Sequence, residues 1–157
     1  MNLKEKIQKD FTEAFKAKDS DRVLVLKMLQ AGIKNAEIEK KTGLAKKGEP
    51  FEGLSDNEVI QVISREAKKR RDAIELYEKG GRAGQAETEK KELEILSAYL
   101  PEQISEDEIK KLAKNAIEQS GASDLKDIGK VMAILVPQTK GRADGALVNK
   151  IVRELLA

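Results

Sequence analysis

The sequence predicts an all-α fold built from two helical units. Of its residues, 37% are charged and only 3% are aromatic, and Ala, Leu, Glu, Lys and Ile are abundant, as is typical of helical proteins. Apolar residues recur at steps of three and four along most of the chain, and no segment shows the alternation of a strand. The helices are therefore expected to pack against one another without a sheet.

The first two helices are predicted from apolar spacing. Asn2 can cap a helix over about 2–17. A second helix should begin at Asp21 and end near Thr42, and its apolar stripe is wide enough to contact more than one neighbour. Residues 42–54 contain three glycines and a proline without any period, so we expect a mobile loop there.

The clearest helix start in the chain is at Ser55. Ser55 and Glu58 have the spacing of a capping box, and an apolar pair encloses them as a hydrophobic staple. This third helix is predicted to run to Gly80. A fourth is expected from about residue 82 to the residue before Pro101.

Pro101 also marks the predicted domain boundary, because proline cannot continue a helix. We predict an N-terminal bundle of long helices over 1–98 and a small three-helix C-terminal domain over 105–157. Residues 99–104 would form the hinge, with Tyr99 packing at the boundary between the two units.

In the C-terminal domain, Ser105 and Glu108 repeat the capping box, and helices are predicted over 106–120, 124–136 and 145–156. Ser123 is expected to cap the second of these helices and Asp144 the third, while Pro137 should stop the second. Gly129 inside that helix costs about 1 kcal/mol relative to alanine, so we expect a close helix crossing there.

The composition also limits the chemistry. The chain has no cysteine and no histidine, which removes the usual zinc ligands and the usual nucleophile and base pairs. We expect no metal, no cofactor and no catalytic residues. The longest apolar run is Val131 to Val136, and neither a signal peptide nor a membrane span fits. A cytoplasmic protein is therefore expected.

A cationic turn between the last two helices is the best candidate site. Lys140, Gly141 and Arg142 could present two cations and bare backbone N–H groups to a phosphate. Lys130, Lys150 and Arg153 could extend the patch. From Lys126 onward there are six cations and three anions, although the formal charge of the whole chain is only +2. The alternative is a solvated turn in which Asp144 caps the next helix.

The densest cationic run lies on the third helix, between Arg65 and Arg71. Lys68, Lys69 and Arg71 could contact an RNA backbone along that helix. A solvated helix face with internal salt bridges is the alternative. The scarcity of aromatic residues argues against stacking on unpaired bases, so any nucleic acid would be recognised through phosphate and shape.

Several segments of the chain together form a pattern of a known family. They are Leu54 to Ile60, Lys69 to Ile74, Tyr99-Leu100-Pro101, Gly129-Lys130-Val131-Met132, Lys140 to Gly145, and Val148. With these segments the chain resembles the YqeY family. The resemblance covers essentially the whole chain, and its latter part is also similar to the tail of GatB, the tRNA-binding subunit of glutamine-dependent tRNA amidotransferase.

The resemblance implies an all-α protein whose tail contacts tRNA or another structured RNA, with Lys130, Lys140 and Arg142 as candidate contacts. It also implies an association with carbon–nitrogen ligase chemistry that uses glutamine as amide donor, and a protein partner in the translation machinery. The residues for that chemistry belong to parts of the amidotransferase that this chain lacks. The rival hypotheses are a protein-interaction or scaffold module without a nucleic-acid role, and a glutamine-dependent amidation activity of the chain itself.

Overall fold

The computed structural model of the protein describes residues 1–157 and contains helices joined by turns, without a strand. The prediction of an all-α chain is confirmed. The chain forms two compact units, Met1–Leu100 and Pro101–Ala157. The helices are α1 (Leu3–Lys16), α2 (Ser20–Lys47), α3 (Asp56–Lys79), α4 (Ala83–Ser97), α5 (Glu106–Ser120), α6 (Ile128–Thr139) and α7 (Gly145–Leu156), and a short 3-10 helix, Leu125–Asp127, precedes α6.

The capping boxes predicted at Ser55 and Ser105 are both present. At the first, Glu58 accepts a hydrogen bond from the backbone N–H of Ser55 at 2.8 Å and another from the ammonium of Lys40 at 2.9 Å. These bonds lower the pKa of Glu58 to about 2, with the backbone bond as the largest cause. Lys40 also donates to the carbonyl of Gly53 at 2.9 Å, so α2 is joined to the segment that leads into α3.

The core of the N-terminal unit is formed by apolar side chains of α1, α2, α3 and α4. Gly32 of α2 lies where α3 comes close, since a Cβ built on it would be 3.4 Å from Cγ1 of Val62. Tyr99 also belongs to this core. The most deeply buried of the large side chains are Ile7, Leu26, Leu29, Ile33, Ile63 and Leu96.

The second helix is longer than the sequence pattern predicted. It continues through Gly43 to Lys47 and ends at Gly48, whose φ of +71° is the left-handed conformation of a helix C-cap. A single glycine inside a helix costs about 1 kcal/mol and does not stop it. The predicted loop is therefore shorter, because only the segment between Gly48 and Ser55 is non-helical.

Three expectations about α6 are wrong. Pro137 lies inside the helix, which continues to Thr139. Because proline has no backbone N–H, the carbonyl of Ala133 loses its helical partner, but Ala133 is exposed and water can bind there. Ser123 does not cap α6; its backbone N–H donates to Asp127 at 3.1 Å. Gly129 is not at a close crossing, since a Cβ there would meet nothing within 4 Å.

The three helices of the C-terminal unit surround a separate apolar core. Its residues come from α5, α6 and α7, and each helix contacts the other two. No helix of the chain combines the length and apolar character needed to cross a membrane. The buried residues of this core are Ile109, Ala113, Ala116, Val131, Leu135, Val148, Ile151, Val152 and Leu156.

Tyr99 gives the fold a measurable dependence on alkaline pH. Its side chain is 8% exposed, and its hydroxyl donates to Oδ2 of Asp10 at 2.6 Å. Burial first and this bond second raise the pKa of Tyr99 from 10.0 to about 12, although Arg22 acts in the opposite direction. Because the folded-state value is the higher one, this contribution to stability is complete below pH 10 and is lost as the pH rises through about 12.

In a Tyr77→Phe variant, which leaves Tyr99 as the one tyrosine, we expect ionisation near pH 12 by ultraviolet absorbance. Adding Asp10→Asn should lower that midpoint, because the negative charge beside the phenol is removed. A midpoint at the ordinary tyrosine value while the protein remains folded would contradict the burial of Tyr99.

Gly129→Ala should stabilise the C-terminal unit by up to about 1 kcal/mol, because alanine favours the helix and its Cβ meets no atom of the chain. Urea unfolding followed by circular dichroism measures the change. A loss of stability would show that the glycine is needed for packing after all.

Candidate nucleic-acid interface

The turn between α6 and α7 is closed by its own backbone. The N–H groups of Arg142 and Ala143 both donate to the carbonyl of Thr139, at 2.9 and 3.0 Å. Lys140 donates its N–H to Val136 at 2.9 Å, and Gly141 has a φ of +76°, which favours glycine. The expectation of bare backbone N–H groups is therefore wrong for Lys140, Arg142 and Ala143.

The segment before α5 holds this turn in place. Ile104 donates its N–H to the carbonyl of Arg142 at 3.0 Å, and the side-chain amide of Gln103 donates to the carbonyl of Gly141 at 2.8 Å. The sequence did not indicate a role for Gln103, because the bond is to a main-chain oxygen that every residue carries. Asp144 then caps α7 by accepting the N–H of Ala146 at 3.1 Å, as predicted.

Arg142 contributes to this arrangement with its side chain as well. Its Nε donates to the carbonyl of Glu102 and its Nη1 to the carbonyl of Gln138, both at 3.3 Å. Neither partner is a carboxylate, so the positive charge of Arg142 is not neutralised. The remaining N–H groups of the guanidinium are available to an anion.

Lys140 is exposed and makes no ion pair within the chain. Lys150 of α7 is likewise exposed and without an ion pair. Arg153, farther along α7, donates to the neutral side-chain oxygen of Asn149 at 2.8 Å. None of these three cations is paired with a carboxylate.

Lys130 differs from the other predicted contacts of the C-terminal unit in both position and pairing. It lies in the first turn of α6, about 15 Å of helix axis from Lys140. Its ammonium is 3.5 Å from Oδ1 of Asp127. The pKa of Asp127 is lowered mainly by the backbone bond from Ser123 and to a smaller extent by Lys130. A small ligand at the turn would not reach Lys130, whereas a polyanion could contact both.

The predicted contacts on α3 belong to the N-terminal unit. Lys68 is exposed and without an ion pair, Arg71 is half-buried, and Lys69 pairs with Glu66 at 2.7 Å. This cationic run therefore contains both free and internally paired charges.

Arg70, in the middle of that run, has a structural role. It is 9% exposed, and its Nε lies 2.7 Å from Oε2 of Glu92 and 3.5 Å from Oε2 of Glu89. Its N–H does not point at either oxygen, so the interaction is an ion pair without a well-directed hydrogen bond. Arg70 joins α3 to α4.

Hydrogen bonds favour the ionised form of two carboxyl groups. The pKa values of Glu58 and Asp127 are both shifted downward. No group of three or more Asp or Glu side chains is placed to hold a metal ion.

The chain has relatives among known proteins. The family model described as Yqey-like protein matches residues 4–156. An uncharacterized protein of Schizosaccharomyces pombe is 30% identical over 104 residues, which are 66% of this chain and 76% of that protein. Altered inheritance of mitochondria protein 41, mitochondrial, of Lachancea thermotolerans is 30% identical over 155 residues, which are 94% of this chain and 78% of that protein. The names of these two relatives state no ligand and no reaction.

The geometry predicts different effects for the two cations of the turn. Arg142→Ala removes two side-chain bonds to main-chain carbonyls and should cost about 1 kcal/mol of local stability. Lys140→Ala should change stability by less than about 0.5 kcal/mol, because its side chain has no partner. Hydrogen exchange at the amide of Ile104, which donates to Arg142, measures the local opening. Equal exchange rates in the two variants would mean that the Arg142 side chain does not hold the turn.

Proposed function

The chain belongs to the YqeY family, and from that premise we propose that it is an accessory protein that binds tRNA, or another structured RNA, through the turn at Lys140 and Arg142. The observation that supports this proposal is that neither of the two cations of the turn is paired with a carboxylate. Lys140 has no ion pair, and Arg142 donates to main-chain carbonyls. A phosphate could therefore bind both cations without displacing a carboxylate from either.

The charge balance of the tail supports the same proposal. Two of the three anions after residue 125 are engaged internally, since Asp127 accepts from Ser123 and Asp144 caps α7. The surplus cations are thus left to solvent or to a polyanion. Residues 101–125 carry the opposite balance, three cations and six anions, so the positive charge is local to α6, α7 and the turn.

The scarcity of aromatic residues indicates how RNA would be recognised. Only 3% of residues are aromatic, so stacking of unpaired bases is not available as a main source of affinity. Structured RNA can instead be recognised through phosphate positions and helix shape. Lys68, Lys69 and Arg71 on α3 are proposed as a secondary contact strip, with Lys69 the weakest candidate because Glu66 already pairs with it.

We propose that any connection to glutamine-dependent amidotransfer, a carbon–nitrogen ligase reaction, is through RNA binding and not through catalysis by this chain. The purified chain, supplied with glutamine, ATP and misacylated Glu-tRNA, should form no Gln-tRNA. Amidation in that mixture would overturn this part of the proposal. A cytoplasmic location is proposed with it, although the Lachancea relative carries the word mitochondrial in its name.

Titration of fluorescently labelled tRNA with the chain tests the proposal. Between roughly 50 and 200 mM KCl the affinity should fall steeply, because each neutralised phosphate contributes about −0.7 to −0.9 to the slope of log K against log salt. Lys140→Ala should weaken binding. It should also reduce the magnitude of that slope by about 0.7 to 0.9, the contribution of one phosphate contact. Fluorescence anisotropy measures both quantities.

Lys114→Ala is the matched control, since Lys114 is an exposed lysine of the same unit without an ion pair and lies on α5, outside the turn. It should leave affinity and slope almost unchanged. Arg142→Lys keeps the positive charge but loses the planar set of guanidinium N–H donors. Its effect therefore distinguishes the contribution of charge to RNA affinity from that of donor geometry. Equal effects of the Lys114 and Lys140 substitutions would exclude the turn as the binding site.

A further inference from the structure

Helix α2 has apolar residues on two opposite faces, and only one face is covered. Val25, Leu26, Leu29 and Ile33 are buried in the core of the N-terminal unit. On the other face the side chains of Leu24, Met28 and Ile38 are 52, 43 and 54% exposed. About half the length of this 28-residue helix, between Leu24 and Ile38, thus presents large apolar side chains to solvent.

The spacing on the open face is that of a helix-pairing seam. Its positions alternate steps of four and three residues, which is the a and d pattern of a heptad repeat. All of them are exposed. Asn35 stands near the middle, at a position where a polar residue fixes the register of a paired helix. The open seam consists of Leu24, Met28, Ala31, Asn35, Ile38, Thr42 and Ala45.

One edge of the open seam is lined by lysines. Lys27, Lys34 and Lys41 recur every seven residues, each directly before a seam residue, at heptad position g. All three are exposed and make no ion pair within the chain. The other edge lies against α3: Gly32 approaches Val62, and Met28 Sδ is 3.8 Å from Nη2 of Arg70. A helix laid on the seam would therefore meet the lysines at its free side.

We propose that the open seam docks an amphipathic helix of a partner protein whose apolar stripe is flanked by Glu or Asp. The apolar side chains supply the buried area and the three lysines supply the charge complement. This inference goes beyond RNA binding and does not depend on it, because the seam and the cationic turn share no residue and lie in different compact units.

A second copy of the chain is a poorer occupant on electrostatic grounds. In an antiparallel pair of seams the g positions face each other, which sets lysine against lysine. In a parallel pair each g position faces the e position five residues later on the other helix, so Lys34 would meet Glu39 but Lys41 would meet Lys46. Most of the lysine edge would remain without an anion in either pairing.

RNA is also a poorer occupant of this face. Leu24, Met28 and Ile38 would displace water from the charged phosphates without offering them hydrogen bonds in return, which is unfavourable. No aromatic residue stands in the seam to stack a base. An acidic amphipathic helix satisfies both the apolar centre and the charged edge.

The test uses a synthetic fluorescent peptide of about four heptads with leucine at a and d and glutamate at e and g. Its glutamates keep it from pairing with itself. The matched peptide carries lysine at e and g. The full chain should bind the acidic peptide at least tenfold more tightly than the basic one, as measured by anisotropy at low salt, and Lys27→Gln/Lys34→Gln/Lys41→Gln should remove most of that preference.

Leu24→Glu/Ile38→Glu should abolish binding of the acidic peptide. These side chains are more than half exposed, so the fold should survive, and circular dichroism checks that it does. Leu76→Glu is the matched control: Leu76 is 70% exposed on α3 and outside the seam, so its substitution should leave binding intact.

Three results would overturn the proposal. Equal affinity for the two peptides would remove the role of the lysines. Binding that persists in Leu24→Glu/Ile38→Glu would place the peptide elsewhere. Sedimentation of the wild-type chain as a dimer that becomes a monomer in the same variant would identify a second copy as the occupant.

Discussion

The geometry of the cationic turn depends on hydrogen bonds to main-chain carbonyls that join residues 102–104 to Gly141 and Arg142. Ile104 and the side chain of Gln103 bond to carbonyls of the turn, and the side chain of Arg142 bonds back to the carbonyl of Glu102. Because these acceptors are neutral, the turn is rigidly held while its cationic charge stays unneutralised. A carboxylate in the place of either carbonyl partner would have stabilised the turn and removed its attraction for an anion.

Some cations of the chain are bound by carboxylates, whereas others are bound by neutral oxygens or by none. Arg70 and Lys40 contact carboxylates and join one helix to a neighbouring element. Those of the C-terminal turn and of α7 donate hydrogen bonds to carbonyls or to an amide oxygen, or have no hydrogen-bond or ion-pair partner. A cation that is paired with a carboxylate is neutralised, whereas a binding surface for a polyanion needs cations that are not. The near-neutral formal charge of +2 therefore conceals a local difference that only the positions of the carboxylates reveal.

The wide apolar stripe of helix α2 is only partly covered by the neighbouring helices. The sequence predicted that α2 would contact more than one neighbour, and it does pack against α1, α3 and α4. These neighbours nevertheless leave the side chains of Leu24, Met28 and Ile38 exposed. A helix can be covered only where other elements reach it, and three helices on one side do not enclose a fourth. The uncovered face is thus a consequence of the packing, and the regular lysine edge gives it a defined chemical character.

Much of the fold was predictable because the deciding interactions are local. Capping boxes at Ser55 and Ser105 require only residues three positions apart, and the 3.6-residue period shows which face of each helix is apolar. The errors arose where a local signal was outweighed. Gly43 did not end α2 because a left-handed C-cap is available at Gly48, and Pro137 did not end α6 because the carbonyl it leaves without a partner can be hydrated. Gly129 suggested a crossing that is absent, whereas the close approach occurs at Gly32.

The sequence by itself determined the all-α fold, most helix limits and the choice of Lys140 and Arg142 as candidate contacts, since each follows from residue type and short-range spacing. It also determined the membership of the YqeY family, whose model matches residues 4–156. Only the tertiary structure decided that Arg70 forms ion pairs with Glu92 and Glu89, and that the backbone N–H groups of Lys140, Arg142 and Ala143 are already bonded. These outcomes depend on groups distant in sequence, or on main-chain atoms that all residues share, and a linear pattern does not encode which of them will meet.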